Sequence, residues 1–337
     1  MSAKIVFAFE NAWRPDEKHA FEVPRGEFDD MLLRHAVSLG AELREGWTMT
    51  RAIREGERVV GVEAKTPDGG TTRIGARFVV DASGRDALFA HEARTTAKID
   101  GLDQTALYAH FEDVPRQSGK LEGDIDIVLF RNSEGERPNW FWFIPFKDGR
   151  TSVGAVVSKA WMKDRRSRTD GSPSALFAEA VKASKTATEL LANARCVWDE
   201  KRATADFSYR VRDLHGEGWL AVGDAGGFID PLFSTGAHLA ITGGVRAADL
   251  LADHGCAPPA DALAAWSSDV RRAAETFILA VRAFYAGPLV DLLFVENKHE
   301  ALRRSVTSLL AGDVYADAIW LRDARQRIGA MLPKEAS

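Results

Sequence analysis

The chain has 337 residues, 45% hydrophobic and 28% charged, with a formal net charge of −5. This is an ordinary globular composition, long enough for one large α/β domain or two units sharing a core, and its acidic balance gives no electrostatic reason to expect nucleic acid or an anionic membrane as partner. Two distant cysteines, Cys196 and Cys256, exclude a disulfide scaffold and a CxxC zinc site and fit a reducing cytoplasm. No apolar run nears the roughly 20 residues of a membrane span, and no signal-peptide pattern opens the chain.

Residues 4–9 (KIVFAF) predict a short strand, followed by a polar loop at Arg14-Pro15-Asp16. Val23-Pro24-Arg25 leads into a helix with Phe28, Met31, Leu32, Ala36 and Leu39 at helical spacing and Gly40 as its stop. Strands follow at about 41–54, 58–66 and 71–80, the last two separated by a Pro67-Asp68-Gly69-Gly70 turn. The third strand ends in Asp81-Ala82-Ser83-Gly84-Arg85. A second strand-rich region covers about 104–113, 124–131, 139–146 and 150–158, with turns at Glu134-Gly135 and Asp148-Gly149. Ser172 to Ala194 predicts a helix. Trp219-Leu220-Ala221-Val222 is an apolar strand that breaks at Gly223-Asp224. It crosses a loop rich in Gly and Pro and enters a long helix near Thr235-Gly236. The rest is helical, with interruptions near Gly255 to Pro259 and at Gly287-Pro288.

This order predicts an α/β fold. Residues 1–100 and 206–255 form a dinucleotide-type domain, 101–205 an inserted antiparallel sheet with a helix, and 256–337 a helical C-terminal region. A dinucleotide-binding domain ordinarily opens with a strand, a GxGxxG turn and a helix, with an acidic residue about 20 residues on. No such run occurs in the chain, so the first βαβ unit is expected to be missing, with an exposed sheet edge as the consequence.

A strand ending in a carboxylate, followed by a helix N-terminus, suits a polar cofactor. The carboxylate accepts hydrogen bonds from ribose hydroxyls, and the free amides at the helix start attract negative charge. Gly223-Asp224 fits this role, with glycine permitting close backbone approach. The Pro231 and Ser234-Thr235-Gly236-Ala237 stretch reads equally as a loop with a capping hydroxyl. Alternation along Trp140-Phe141-Trp142-Phe143-Ile144-Pro145 puts Trp140, Trp142 and Ile144 on one face and Phe141 and Phe143 on the other. Such an aromatic run is also what a buried strand looks like. Arg25 is a cation at a helix start, unfavourable for the dipole, which favours an external anionic partner. Asp81 and Arg85 either pair with each other or meet a ligand. No His, Cys or carboxylate spacing suggests a metal site.

Taken in order, Val23-Pro24-Arg25-Gly26-Glu27-Phe28-Asp29, Asp81-Ala82-Ser83-Gly84-Arg85 and Gly223-Asp224-Ala225 resemble FAD-dependent monooxygenases of the aromatic-hydroxylase type. Trp140 to Pro145 matches the WxWxIP pattern of flavin-dependent halogenases. Asp230-Pro231-Leu232-Phe233-Ser234-Thr235-Gly236 is similar to the flavin-side loop of the branch acting on phenols and pyrroles. The resemblance covers most of residues 1–250. It implies FAD as cofactor, reduced by a separate flavin reductase, with O2 and halide used to halogenate an electron-rich aromatic molecule, free or tethered to a carrier protein. It implies that Arg25, Asp81, Gly223, Asp224, Pro231 and Ser234 to Ala237 contact FAD and that Thr235 and Gly236 hold halide. Trp140, Trp142, Ile144 and Pro145 then stand on the substrate side. Lys4, in Lys4-Ile5-Val6-Phe7-Ala8-Phe9, takes the place of the lysine that delivers the halogen, although Val6 and Phe7 replace the Gly and Ala of the KxGAxF pattern. Otherwise it is a solvated charge. The alternatives are a related hydroxylase, a geranylgeranyl-reductase-type enzyme, or an inactive truncated remnant.

Overall fold

The computed structural model describes residues 4–15, 18–131, 137–294, 300–315 and 318–332. The expected Glu134-Gly135 turn lies outside them, as does Asp16. Residues 4–8 form no strand and run into a single 3-10 turn at Phe9–Asn11. The apolar run is present, but a ladder needs a paired strand. The segment instead packs Phe7 on the C-terminal helical core. α1 (Arg25–Ser38) stops as expected, with Gly40 at φ 103°. Its apolar positions are not covered: no residue of α1 is buried, and Met31 is 56% exposed.

β1 (Thr48–Glu55), β2 (Arg58–Lys65) and β3 (Thr71–Gly75) form an antiparallel meander. Residues 41–47 are not strand. The single strand expected over 71–80 is two. β3 closes the meander, and after a three-residue crossing the chain enters β4 (Val79–Asp81) in another sheet. The apolar pattern runs through the break because β3 has half-buried positions and β4 buried ones, while their ladder partners differ. α2 (Leu88–Ala93) and β5 (Thr96–Lys98) follow.

β6 (Gln104–Glu112), β7 (Asp126–Phe130), β8 (Asn139–Pro145) and β9 (Thr151–Ser158) make up most of a six-stranded sheet. α3 (Lys159–Arg166), α4 (Pro173–Ala183) and α5 (Lys185–Leu190) come next, then β10 (Arg195–Cys196) and β11 (Arg202–Ala205). The sheet order is β10-β6-β9-β8-β7, with β11 also on β6. The helix expected over 172–194 is broken at Ser184. Its backbone is extended (φ −120°, ψ 111°), and its hydroxyl accepts the Ala187 amide at 3.2 Å, starting α5 afresh. Serine offers the backbone this alternative to a continuous helix. The helix α3 has no counterpart in the sequence reading.

Strand alternation sorts the sheet's two faces. Leu107, Ala109, Phe111, Phe141, Phe143, Val153 and Ala155 join Trp161, Leu176 and Phe177 of α3 and α4 in one core. Ala106, Trp140 and Val156 enter a second core with the C-terminal helices.

β12 (Tyr209–Val211) lies between β15 (Gly227–Phe228) and β5, and β13 (His215–Gly216) forms a hairpin with β14 (Trp219–Ala221). β14 pairs with β4 in parallel, Trp219 opposite Val79 and Ala221 opposite Asp81. The far edge of β4 has no partner among the described strands. α6 (Thr235–Asp253), α7 (Ala260–Ala286), α8 (Pro288–Phe294), α9 (Glu300–Leu310) and α10 (Ile319–Met331) complete the chain. α7 and α8 together are apolar enough to span a membrane, but they are bent by 79°; no single described helix is long and apolar enough. The N-terminal segment is pinned to α9. The Trp13 amide donates to Ser308 Oγ at 2.7 Å and its indole N–H to Ser305 Oγ at 3.1 Å, while the Arg304 guanidinium lies 4.5 Å from the ring.

Candidate functional site

The parallel pairing of β4 with β14 brings two sequence motifs to one place. The Val222 amide donates to the Asp81 carbonyl at 2.9 Å, so both strands end side by side. The carboxyl ends of parallel strands are where open α/β sheets bind ligands. Gly223 follows at φ 58°, and a Cβ built there would stand 3.0 Å from Ala240 Cβ on α6. Glycine therefore lets the loop lie against the helix. Half-buried Asp224 comes next. Burial raises its carboxyl pKa, and the Arg25 and Arg85 guanidiniums oppose the rise.

Arg25 belongs to the same neighbourhood. Its guanidinium is held charged first by the hydrogen bonds to Asp29, at 2.9 and 3.0 Å, and also by Asp224. The anionic partner that the helix-dipole argument sought outside the chain is in part Asp29, one turn along α1. Asp81 is fully buried. Its Oδ1 accepts the Ser83 amide and its Oδ2 the Phe89 amide, each at 3.0 Å. It makes no ion pair with Arg85 among the described residues; it holds the turn that displays Arg85. The Tyr209 hydroxyl donates to the Asp224 carbonyl, and burial pushes its pKa up to about 12, which keeps it a donor.

The second half of the site is the loop from Asp230 to Ala237. Pro231 begins a 3-10 turn, Ser234 sits in the left-handed region at φ 53°, and Thr235, Gly236 and Ala237 are the first residues of α6. The sequence left open a capping hydroxyl here. The Ser234 hydroxyl does not cap α6, and among the described residues its first amides have no side-chain partner. The amides and the positive end of a 19-residue helix together suit a negatively charged group.

Behind this loop, Asp230 is buried. Its Oδ1 accepts the Leu232 amide at 2.9 Å and its Oδ2 the Tyr285 hydroxyl at 3.1 Å. Tyr285 in turn accepts the Trp140 indole N–H at 2.9 Å. Burial pushes the Asp230 pKa up to about 7, against the pull of these donors.

The aromatic strand supplies a wall. Trp142 donates through its indole to Ser152 Oγ at 3.1 Å, and its ring lies flat over Gly154, where a Cβ would fall 2.2 Å from the ring. Tyr108 is 6.1 Å from Trp142 between ring centroids, and His110 lies 4.5 Å from Trp198 with the rings tilted by 35°. Burial lowers the His110 pKa, with Arg150 reinforcing the shift. Ile144 and Pro145, at the end of β8, are half-buried. Lys4 is exposed and, among the described residues, forms no hydrogen bond or ion pair, so no such contact brings it to the other candidates. Among the described residues no group of three His, Cys, Asp or Glu gathers as a metal site.

Two residues of the site escaped the sequence reading. Gly154 carried a signal, since a lone glycine inside a strand pattern marks close approach. Tyr285 carried none: it is one apolar-face position in a 27-residue helix.

Adjacent parallel strand ends with a carboxylate loop, an uncapped helix N-terminus and an aromatic sheet face define an α/β nucleotide-cofactor protein. The tryptophan halogenase family profile matches residues 9–299, and the chain belongs to that family of flavin-dependent halogenases. The chain is 33% identical over 233 residues to a tryptophan 2-halogenase of Chondromyces crocatus, covering 68% of this chain and 43% of the relative. It is 28% identical over 317 residues to a 1H-pyrrole-2-carbonyl-[peptidyl-carrier protein] chlorinase of Pseudomonas fluorescens, covering 94% and 69%. The structure of the flavin-dependent brominase Bmp2 superposes with a TM-score of 0.80 at 26% identity, over 93% of this chain and 77% of that one. The myxobacterial chondrochloren halogenase CndH, an FAD-dependent halogenase, gives 0.71 at 27% identity, over 96% and 78%. The chain spans 43%, 69% and 55% of the lengths of three curated relatives.

Proposed function

We propose that this chain halogenates an electron-rich aromatic small molecule. It uses FAD reduced by a separate flavin reductase, together with O2 and halide, in the cytoplasm. Membership of the halogenase family supports this, and one structural observation carries it: the uncapped α6 N-terminus and the aromatic face of β8 are tied together through Asp230 and Tyr285. The residues present fit one half of the cofactor. Gly223 and Asp224 suit its ribityl or ribose hydroxyls, and Arg25 and Arg85 add positive charge beside them. Asp81 acts through the turn it holds. The amides of Thr235, Gly236 and Ala237, preceded by Pro231 and Ser234, suit the polar edge of the flavin, and those of Thr235 and Gly236 suit halide.

Reduced FAD, when bound, would supply two electrons and two protons, with which O2, halide and one further proton become hypohalous acid and water. The chain does the rest. Trp140, Trp142, Ile144 and Pro145 keep the organic substrate apart from the flavin-side loop. The Lys4 ammonium hydrogen-bonds the hypohalous acid and directs its halogen to the ring, a role in which a lysine supplies charge and orientation together. The pyrrole-2-carbonyl carrier substrates in the names of the Pseudomonas fluorescens and Pseudoalteromonas luteoviolacea relatives make a carrier-tethered pyrrole a substrate to test first.

The test is turnover of the purified chain with FAD, a flavin reductase, bromide and phenol or pyrrole acceptors, read by mass spectrometry. A brominated product that Lys4→Ala abolishes is the expected result. A hydroxylated product alone, or a protein that takes up no FAD, overturns the reading.

A further inference from the structure

Tyr285 lies on α7, outside every motif assigned so far, and is 2% exposed. Its hydroxyl is the middle of a buried line from Trp140 Nε1 at 2.9 Å to Asp230 Oδ2 at 3.1 Å. The direction of this line is set by chemistry. An indole N–H can donate and not accept, an ionised carboxylate can accept and not donate, and a phenol does both. Asp230 also accepts the Leu232 amide, so each of its oxygens already faces a donor. Directly after it come Pro231, the left-handed Ser234 and the uncapped start of α6. The loop is therefore held from behind, through a carboxylate, and not by a cap in front.

We propose that Tyr285 is a positioning residue: it locks the Pro231–Ala237 loop to the aromatic strand, so the α6 amides and the Trp140–Trp142 face keep one spacing. The functional consequence rests on the proposed reading of that loop; the lock itself does not. Because burial raises the Asp230 pKa in the closed loop, and a protonated carboxyl can donate to the Tyr285 oxygen, protonation favours the closed form. Tyr285 is the titratable group facing Asp230 from α7. β8 presents Trp140, and no charged group of α6 or the loop acts on the carboxyl.

Hydrogen–deuterium exchange of the purified full chain tests this without cofactor or turnover. Protection of a peptide over 229–240 is followed from pH 5.5 to 8.5, corrected for intrinsic exchange rate. In the wild type, protection is expected to rise as the pH drops through about 7, because the closed loop, in which burial raises the Asp230 pKa, binds the proton more tightly than the open one. Tyr285→Phe is expected to lose about tenfold in protection at pH 8, the equivalent of one hydrogen bond, and to move the midpoint upward because the ionised form has lost a donor. Asp230→Asn is expected to abolish the pH dependence. Wild-type protection in Tyr285→Phe, or a surviving pH dependence in Asp230→Asn, overturns the proposal. Should Tyr285→Phe not fold, Trp140→Phe serves, since it leaves the Tyr285–Asp230 bond in place. About a tenfold loss with an unmoved midpoint supports the lock, since the line's bond to the aromatic strand is gone, and wild-type protection overturns it. A chain that never halogenates leaves these exchange results unchanged, so the two readings fail separately.

Discussion

The two halves of the candidate site are built on opposite terms. Behind the Pro231–Ala237 loop, Trp140, Phe277, Phe284, Tyr285 and Asp230 are all buried, and the polar atoms among them are joined in one line of hydrogen bonds. Around Asp224 the surroundings are open. α1 buries nothing, one edge of β4 has no partner among the described strands and its Val80 is exposed, and Ile241 and Val245 of α6 face solvent. Strands of parallel sheets are ordinarily covered on both faces, and apolar patches of this kind ordinarily mark a contact surface. On the proposed reading, the halide-side half is packed among buried side chains and the nucleotide-side half is open.

The largest expected effect lies in the packed half. Trp140→Ala removes a fully buried indole and a donor to Tyr285, and should destabilise by about 3–5 kcal/mol in urea unfolding. A loss under ~1 kcal/mol would erase the contrast. Second is a pH effect at Asp230. Its folded pKa, about 7, lies above its ordinary value of 3.8, so the folded chain binds more protons than the unfolded one between these values. Relative to Asp230→Asn, the wild type should lose stability as the pH rises from about 4 to about 7 and stay level above that, by at most about 4 kcal/mol. Denaturation at stepped pH reads this, and a difference that grows with pH would contradict it.

In the open half the stability effects should be small. Arg25→Ala breaks an exposed pair and should change stability by under about 1 kcal/mol. It should nevertheless weaken FAD uptake by about tenfold in a fluorescence titration, as loss of one charge-assisted contact does. Smallest is the pair Leu32→Glu and Val37→Glu on exposed α1, which should leave stability within ~0.5 kcal/mol. It should still lower self-association in analytical ultracentrifugation; unchanged association would mean that the uncovered face attracts nothing.

Much of the packed half could be read in advance. The alternation of Trp140 to Pro145 placed its faces correctly because a strand's period of two is local. The strand–loop–helix order through Gly223 and Thr235 was equally plain, since glycine and proline punctuate it. What escaped depended on partners distant in sequence. One apolar run over 71–80 serves two sheets. The 4–9 run had the composition of a strand and no ladder to join. Ser184 breaks a helix that propensity alone continues. Tyr285 owes its place to Trp140 and Asp230, which lie 145 and 55 residues away.

The pin at Trp13 has a consequence for how the molecule is made. Its two hydrogen bonds join residues 295 and 292 positions apart, so they close nearly the whole chain into one loop. Contacts of such long sequence separation slow folding, and a chain emerging from the ribosome folds its early parts first. The Trp13 indole therefore waits, undocked, until α9 has been synthesised. A nascent chain halted before Glu300 should leave that ring open to solvent, because Ser305 and Ser308 are not yet made.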